Sequence, residues 1–108
     1  MEKKIQKLYK EIRDIAAWYM IYQRRDNVEQ IRKIIPRIQE FVLWFLEGNR
    51  FGIEEDLYQE MSINLNDILK DILTALEQRD MVLMHDAIAY GMLEYLKLFV
   101  DPEQEETE

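Results

Sequence analysis

At 108 residues, 48% of them hydrophobic and 33% charged, the chain is the size of one domain and can bury a core without covalent staples. It has no cysteine, which removes disulfides, thiolate catalysis and cysteine-based zinc sites together. The net charge of −8 is uneven: residues 1–50 hold eleven Lys/Arg against seven Asp/Glu, and residues 51–108 hold three against fifteen.

The economical reading of that imbalance is a basic half docking on an acidic half within one domain. A nucleic acid bound to the basic half would lie beside the acidic half, so electrostatics disfavour such a partner. No stretch approaches the ~20 apolar residues that span a bilayer. The start, MEKKIQKLYKEI, lacks an apolar run followed by a small-residue cleavage site. A cytoplasmic protein without membrane association is expected.

Ile5, Leu8, Ile12, Ile15, Tyr19 and Tyr22 fall at alternating steps of three and four, the spacing of one helical face. The first helix is expected from about Lys3 to Arg24. Asp26, with Glu29 three residues on, predicts a capping box and hence a tight turn at Arg25–Asp26. The second helix then carries Ile31, Ile34, Ile35, Ile38, Phe41, Val42 and Phe45 inward. Pro36 lies within it, and proline removes an intrahelical donor, so a kink is expected there.

Glu47–Gly52 is the main loop signal, with Phe51 and Ile53 expected to fold back over the end of the core. A third helix follows, with Met61, Leu65, Ile68, Leu69, Ile72, Leu73 and Leu76 as its buried stripe, ending near Arg79. Asp80 caps a fourth, in which Val82, Ile88, Ala89, Met92, Leu93, Leu96 and Phe99 face inward. Pro102 ends the order, and the acidic tail 102–108 is expected to stay unfolded.

The chain also repeats itself. Tyr22–Phe45 aligns without a gap on Leu76–Phe99, placing Arg25 on Arg79, Asp26 on Asp80, Val28 on Val82, Ile34 on Ile88, Glu40 on Glu94 and Phe45 on Phe99. A fixed period of 54 points to one unit used twice. The expected fold is all-α: an up-down-up-down four-helix bundle of two pseudo-repeated αα-hairpins, spanning residues 1–101. Gly91 falls one position from the match to Pro36, so both second helices carry a weak point near the middle.

Catalytic chemistry is thinly supplied. Ser62 is the only serine and His85 the only histidine, and no motif brings them together with a carboxylate. Di-metal bundles need Glu-x-x-His pairs and inward carboxylates; Val82 stands three residues before His85, and the core stripes are Ile, Leu, Met and aromatic. Met81, Met84 and His85 could form a soft-metal cluster, but the simpler reading makes His85 a partly buried, hydrogen-bonded boundary residue. Asp67 and Asp71, with Asn64 nearby, suit a solvated helix face better than an acid–base pair. No enzyme activity, cofactor or metal site is expected.

The aromatic segments are more informative. Ile15–Tyr22 is eight residues without a charge, where a helix packed on one side should keep a polar outer face. Ala17, Met20 and Ile21 point outward, with Trp18 on the flank. Leu43 and Trp44 are similarly placed in FVLWFL, although Phe51 and Ile53 could cover Trp44. These six residues form the candidate interface, since a wide apolar patch on a small protein marks a partner surface. The expected function is a non-enzymatic protein–protein interaction module, acting by homodimerisation or by binding a partner helix. The alternative is a small-molecule or lipid-binding bundle, with a pocket opened near Pro36 and lined by Met and aromatic residues.

Leu73–Phe99 resembles a pattern in small, uncharacterised bacterial helical proteins. The pattern is Ala-Leu-Glu-x-x-Asp-x-Val-Leu followed by Asp, carried here by Ala75, Leu76, Glu77, Asp80, Val82, Leu83 and Asp86. The resemblance covers about a quarter of the chain and implies a helical domain of no known activity. At the level of fold, the layout is similar to flagellar export chaperones, small acidic helical proteins that bind partner helices.

Overall fold

The computed structural model describes residues 2–22 and 26–100, the side chain of Tyr22 excepted. These residues are helical and include no strand. The elements run α1 (Glu2–Tyr22), α2 (Asn27–Arg32), α3 (Ile35–Leu46), α4 (Glu55–Gln78), α5 (Met81–Ala87), a π-helical turn (Ile88–Met92) and α6 (Leu93–Lys97). Arg24, Arg25 and the tail 102–108, on which sequence expectations were placed, lie outside the described residues. α1 packs against α2 and α3, and also against the π turn and α6; α4 packs against α2 and α3, and also against α5 and the π turn.

α1 buries Ile5, Leu8 and Ile12, as its spacing predicts, together with Tyr9 and Ala16, while Ile15 and Tyr19 are only half-buried. Steps of three and four let the apolar stripe drift around the helix, so the buried line leaves it toward Ala16.

The expected kink at Pro36 is a full break. α2 ends at Arg32, Lys33 and Ile34 form a turn, and α3 restarts with Pro36 in its first turn. There the missing N–H costs nothing, because that donor would be free anyway. Short bonds bridge the break: Ile34 N–H to the Ile31 carbonyl at 2.9 Å and Arg37 N–H to the Ile34 carbonyl at 3.0 Å. Every apolar residue predicted inward on this run is buried except Ile35, which is half-buried.

The fourth run departs from the expected stripe. Val82 is exposed rather than inward, and Met84, Ile88, Met92 and Leu96 are fully buried. Those four are spaced by four, and a straight α-helix would rotate such a set by about 40° at each step. The π turn at Ile88–Met92 takes an extra residue into the winding, which holds the set on one face. Gly91 lies inside it, against α4: a Cβ there would stand 3.0–3.2 Å from three side-chain carbons of Ile68.

Both predicted aspartate caps form. The Asp26 carboxylate accepts from Glu29 N–H at 3.2 Å, and Asp80 accepts from Leu83 N–H at 3.0 Å. The Glu29 carboxylate does not reach back as a capping box requires. It accepts from Arg32 and Arg79, both at 3.2 Å, because two cations outbid a backbone amide for it.

At the opposite end, Phe51 folds back as predicted and stacks on Phe45 at 5.3 Å, and Ile53 packs against the core. The buried Tyr58 hydroxyl donates to the Phe45 carbonyl at 2.6 Å, tying α4 to the end of α3.

Candidate functional site

The candidate interface residues fall into two groups. Ala17, Trp18, Met20 and Ile21 lie in the last turn and a half of α1. Ala17 is exposed, and Trp18, Met20 and Ile21 are 40%, 59% and 69% exposed. α1 places them there because its core line through Ile5, Tyr9, Ile12 and Ala16 points the other way. Tyr90 adds an exposed ring at the same end: it lies edge-on to His85 at 6.0 Å, and His85 is 5.0 Å from Tyr19.

Leu43, 64% exposed, sits on α3. The Lys4–Glu40 ion pair at 3.2 Å sets the start of α1 beside the later part of α3, so Leu43 lies roughly 20 Å along the helices from Trp18. Trp44 is half-buried and already engaged. Phe51 and Phe99 each approach its ring at 5.2 Å, and the Arg50 guanidinium lies over it at 5.0 Å. The structure therefore does not bring the six residues into one patch.

His85 is 8% exposed, and neither ring nitrogen has a hydrogen-bond partner among the described residues. The expected hydrogen bond is absent because Tyr19 and Tyr90 present ring faces and edges to the imidazole. Its neighbour Met84 is fully buried. Asn27 is fully buried as well; its amide donates to the Met81 carbonyl at 3.0 Å, and its Oδ1 has no partner among the described residues. Polarity inside this end of the core is not visible in the hydrophobic pattern, since Asn27 directly follows a capping aspartate and passes for a surface residue.

Ser62 and His85 do not converge. The Met61 carbonyl, beside Ser62, accepts from Tyr95 Oη at 3.2 Å, and Tyr95 lies ten residues beyond His85, roughly 15 Å along that helical run. Asp67 and Asp71 are both exposed, while Asn64 donates to Tyr95 Oη at 2.8 Å. Among the described residues, no group of three or more His, Cys, Asp or Glu side chains is placed to hold a metal.

A cleft of about 250 Å³ opens between α1 and α3, just past Pro36. Ile5, Leu8 and Phe41 line it, with Lys4, Lys7, Arg37 and Glu40 around them. The proline signal was legible, but the lining is aliphatic, basic and singly aromatic, where methionine and several aromatic rings were expected.

Comparison of the chain with protein-family models, with curated proteins and with solved structures finds no match.

Proposed function

We propose that this chain is a non-enzymatic protein–protein interaction module, an up-down-up-down four-helix bundle that self-associates through the end of α1. On this reading α1, α2 with α3, α4, and α5 with the π turn and α6 form the four arms, paired as two hairpins. The carrying observation is the adjacent set Trp18, Met20 and Ile21, all substantially exposed on an uncharged stretch of helix. Water contact with three large apolar side chains is unfavourable by about 25 cal/mol per Å² of apolar surface, and a partner removes it. A symmetric dimer needs only this one surface, presented by both copies. No helix among the described residues is long and apolar enough to cross a membrane.

Sedimentation tests the reading. At high ionic strength the protein should be dimeric, and Met20→Glu with Ile21→Glu should then give a folded monomer by placing carboxylates in the apolar contact. A wild-type monomer at high concentration would discard the proposal. Ligand binding is the second reading and rests on the cleft beside Pro36. Its volume falls below the ~300–1,000 Å³ usual for small-molecule pockets. Native mass spectrometry of freshly purified protein would show a retained ligand.

A further inference from the structure

Among the ion pairs between described residues, none takes a cation of residues 1–50 to an acid of residues 51–100. Between described residues, the ion pairs that join residues 1–50 to residues 51–100 all take their cation, Arg79, from the acidic half, onto Asp26 and Glu29. Several cations of the basic half pair within that half: Lys4 with Glu40 and Arg37 with Glu11 between α1 and α3, and Arg32 with Glu29 and Arg50 with Glu47 over three residues. Lys7 has no ion pair among the described residues. The two halves do dock, through apolar side chains and the Arg79 pairs, but among the described residues no ion pair takes a cation of the basic half to an acid of the other.

The basic and acidic charges face outward on different sides. The cleft between α1 and α3 has an apolar floor of Ile5, Leu8 and Phe41 and a rim of Lys4, Lys7 and Arg37 with one acid, Glu40. Lys3 lines the adjoining surface and continues the basic field. The outer face of α4 is its chemical complement. Ile63 is 65% exposed there, with exposed Glu60 one turn before it and exposed Asp67 one turn after. Asp56 and Asp71, also exposed, prolong the strip, which exposed Lys70 interrupts two turns after Ile63 without reversing its acidic balance. An aliphatic side chain fits a cleft too small for an ordinary ligand, and the carboxylates on either side of Ile63 meet the Lys4 and Lys7 ammonium groups along the α1 side of the cleft.

We propose that the cleft between α1 and α3 receives the acidic outer face of α4, centred on Ile63, from a second copy of this chain. The contact is heterologous, since the cleft and the α4 face are different surfaces. One copy uses both at once, so association continues head to tail and does not stop at two. Complementary fields speed the encounter and fix its register, and salt weakens the contact because both surfaces are solvated. This contact is independent of the one at the end of α1.

The test uses the full chain carrying Met20→Glu and Ile21→Glu, so that loss of the α1-end dimer is separated from loss of this contact. Sedimentation at low ionic strength should show species larger than a monomer that shrink as salt is raised. Adding Lys4→Glu and Lys7→Glu should weaken association about tenfold or more, and Glu60→Lys with Asp67→Lys should do the same. Circular dichroism checks that each variant is folded. The decisive step mixes the two charge-reversed variants in equal amounts: each alone sets like charges together, whereas the mixture restores opposite charges, and association should return. A mixture that stays monomeric, or a parent that is monomeric at low salt, overturns the proposal. Association that persists at high salt overturns it equally, because an apolar contact elsewhere would then be responsible.

Discussion

Asn27 and Met81 lie 54 residues apart, and the Asn27 side-chain amide donates to the Met81 carbonyl at 3.0 Å. That separation equals the period of the sequence repeat, so the two residues are each other's equivalents. The neighbouring features agree: Asp26 and Asp80 both cap with extended backbone, and the break at Lys33–Ile34 matches the π turn that begins at Ile88. Each copy of the sequence repeat thus contains a disturbed helix, met once by a proline break and once by an inserted residue.

Asn27→Asp isolates this bond. The two side chains have nearly the same shape, so packing is kept while the donor is lost and a carboxylate is turned toward a carbonyl. Asn27 is fully buried, so the unpaired charge cannot be solvated, and the variant should lose more than about 2 kcal/mol. Urea denaturation at neutral pH measures it, and a loss below about 0.5 kcal/mol would show that the amide bond carries little.

The two caps should each contribute about 1 kcal/mol, so Asp80→Ala costs about that amount. Asp26→Ala should cost somewhat more, because Asp26 also accepts from Arg79 at 3.3 Å. Exposed pairs of this kind add at most ~1 kcal/mol. Thermal unfolding of both variants checks the order.

Arg79 ends α4 in the left-handed region, with φ of 53°. A glycine there avoids the contact between Cβ and backbone that an L-residue suffers. Arg79→Ala should therefore destabilise, losing both ion pairs while keeping the strain. Arg79→Gly should be more stable than Arg79→Ala by about 1 kcal/mol. Equal stabilities would mean that the backbone is relaxed at this position.

Gly91→Ala pits helix propensity against packing. Propensity favours alanine by up to ~1 kcal/mol. The new methyl, however, would crowd three atoms of Ile68, a β-branched side chain with one strongly preferred rotamer in a helix. Packing should win, at a net cost of about 1–2 kcal/mol. In an Ile68→Ala background the same change should become neutral or stabilising. That reversal, seen in a double-mutant cycle, identifies the contact as the cause.

Much of the fold was legible because it rests on local rules. The stripe of α1, the Asp26 and Asp80 caps, the break near Pro36 and the return of Phe51 each follow from a few neighbouring residues. What was not legible depends on phase. The position of Val82 was misjudged because nothing in AIAYGML announces a π turn, and one extra residue in the winding moves everything before it relative to everything after. The candidate interface was half legible for a related reason. Exposure of Met20 and Ile21 follows from one helix, but the distance between Trp18 and Leu43 depends on how two helices are laid side by side. The basic cleft was missed because Lys4, Lys7 and Arg37 belong to segments that only the tertiary fold brings together.

His85 supports the last prediction. Its ring is buried with both nitrogens unpaired among the described residues, so the side chain bears the desolvation of two polar atoms and gains only ring contacts with Tyr19 and Tyr90. Replacing a buried polar group that has no partner by an apolar one of similar size removes that penalty. His85→Leu should leave the fold intact and raise stability by about 1 kcal/mol, read from urea unfolding at neutral pH. A loss of more than about 1 kcal/mol would show that the imidazole binds something the polypeptide does not supply. Elemental analysis of untagged protein then separates the candidates: about one equivalent of copper or zinc, absent from the variant, identifies a metal held with Met81 or Met84, and a metal-free protein leaves a buried water as the partner.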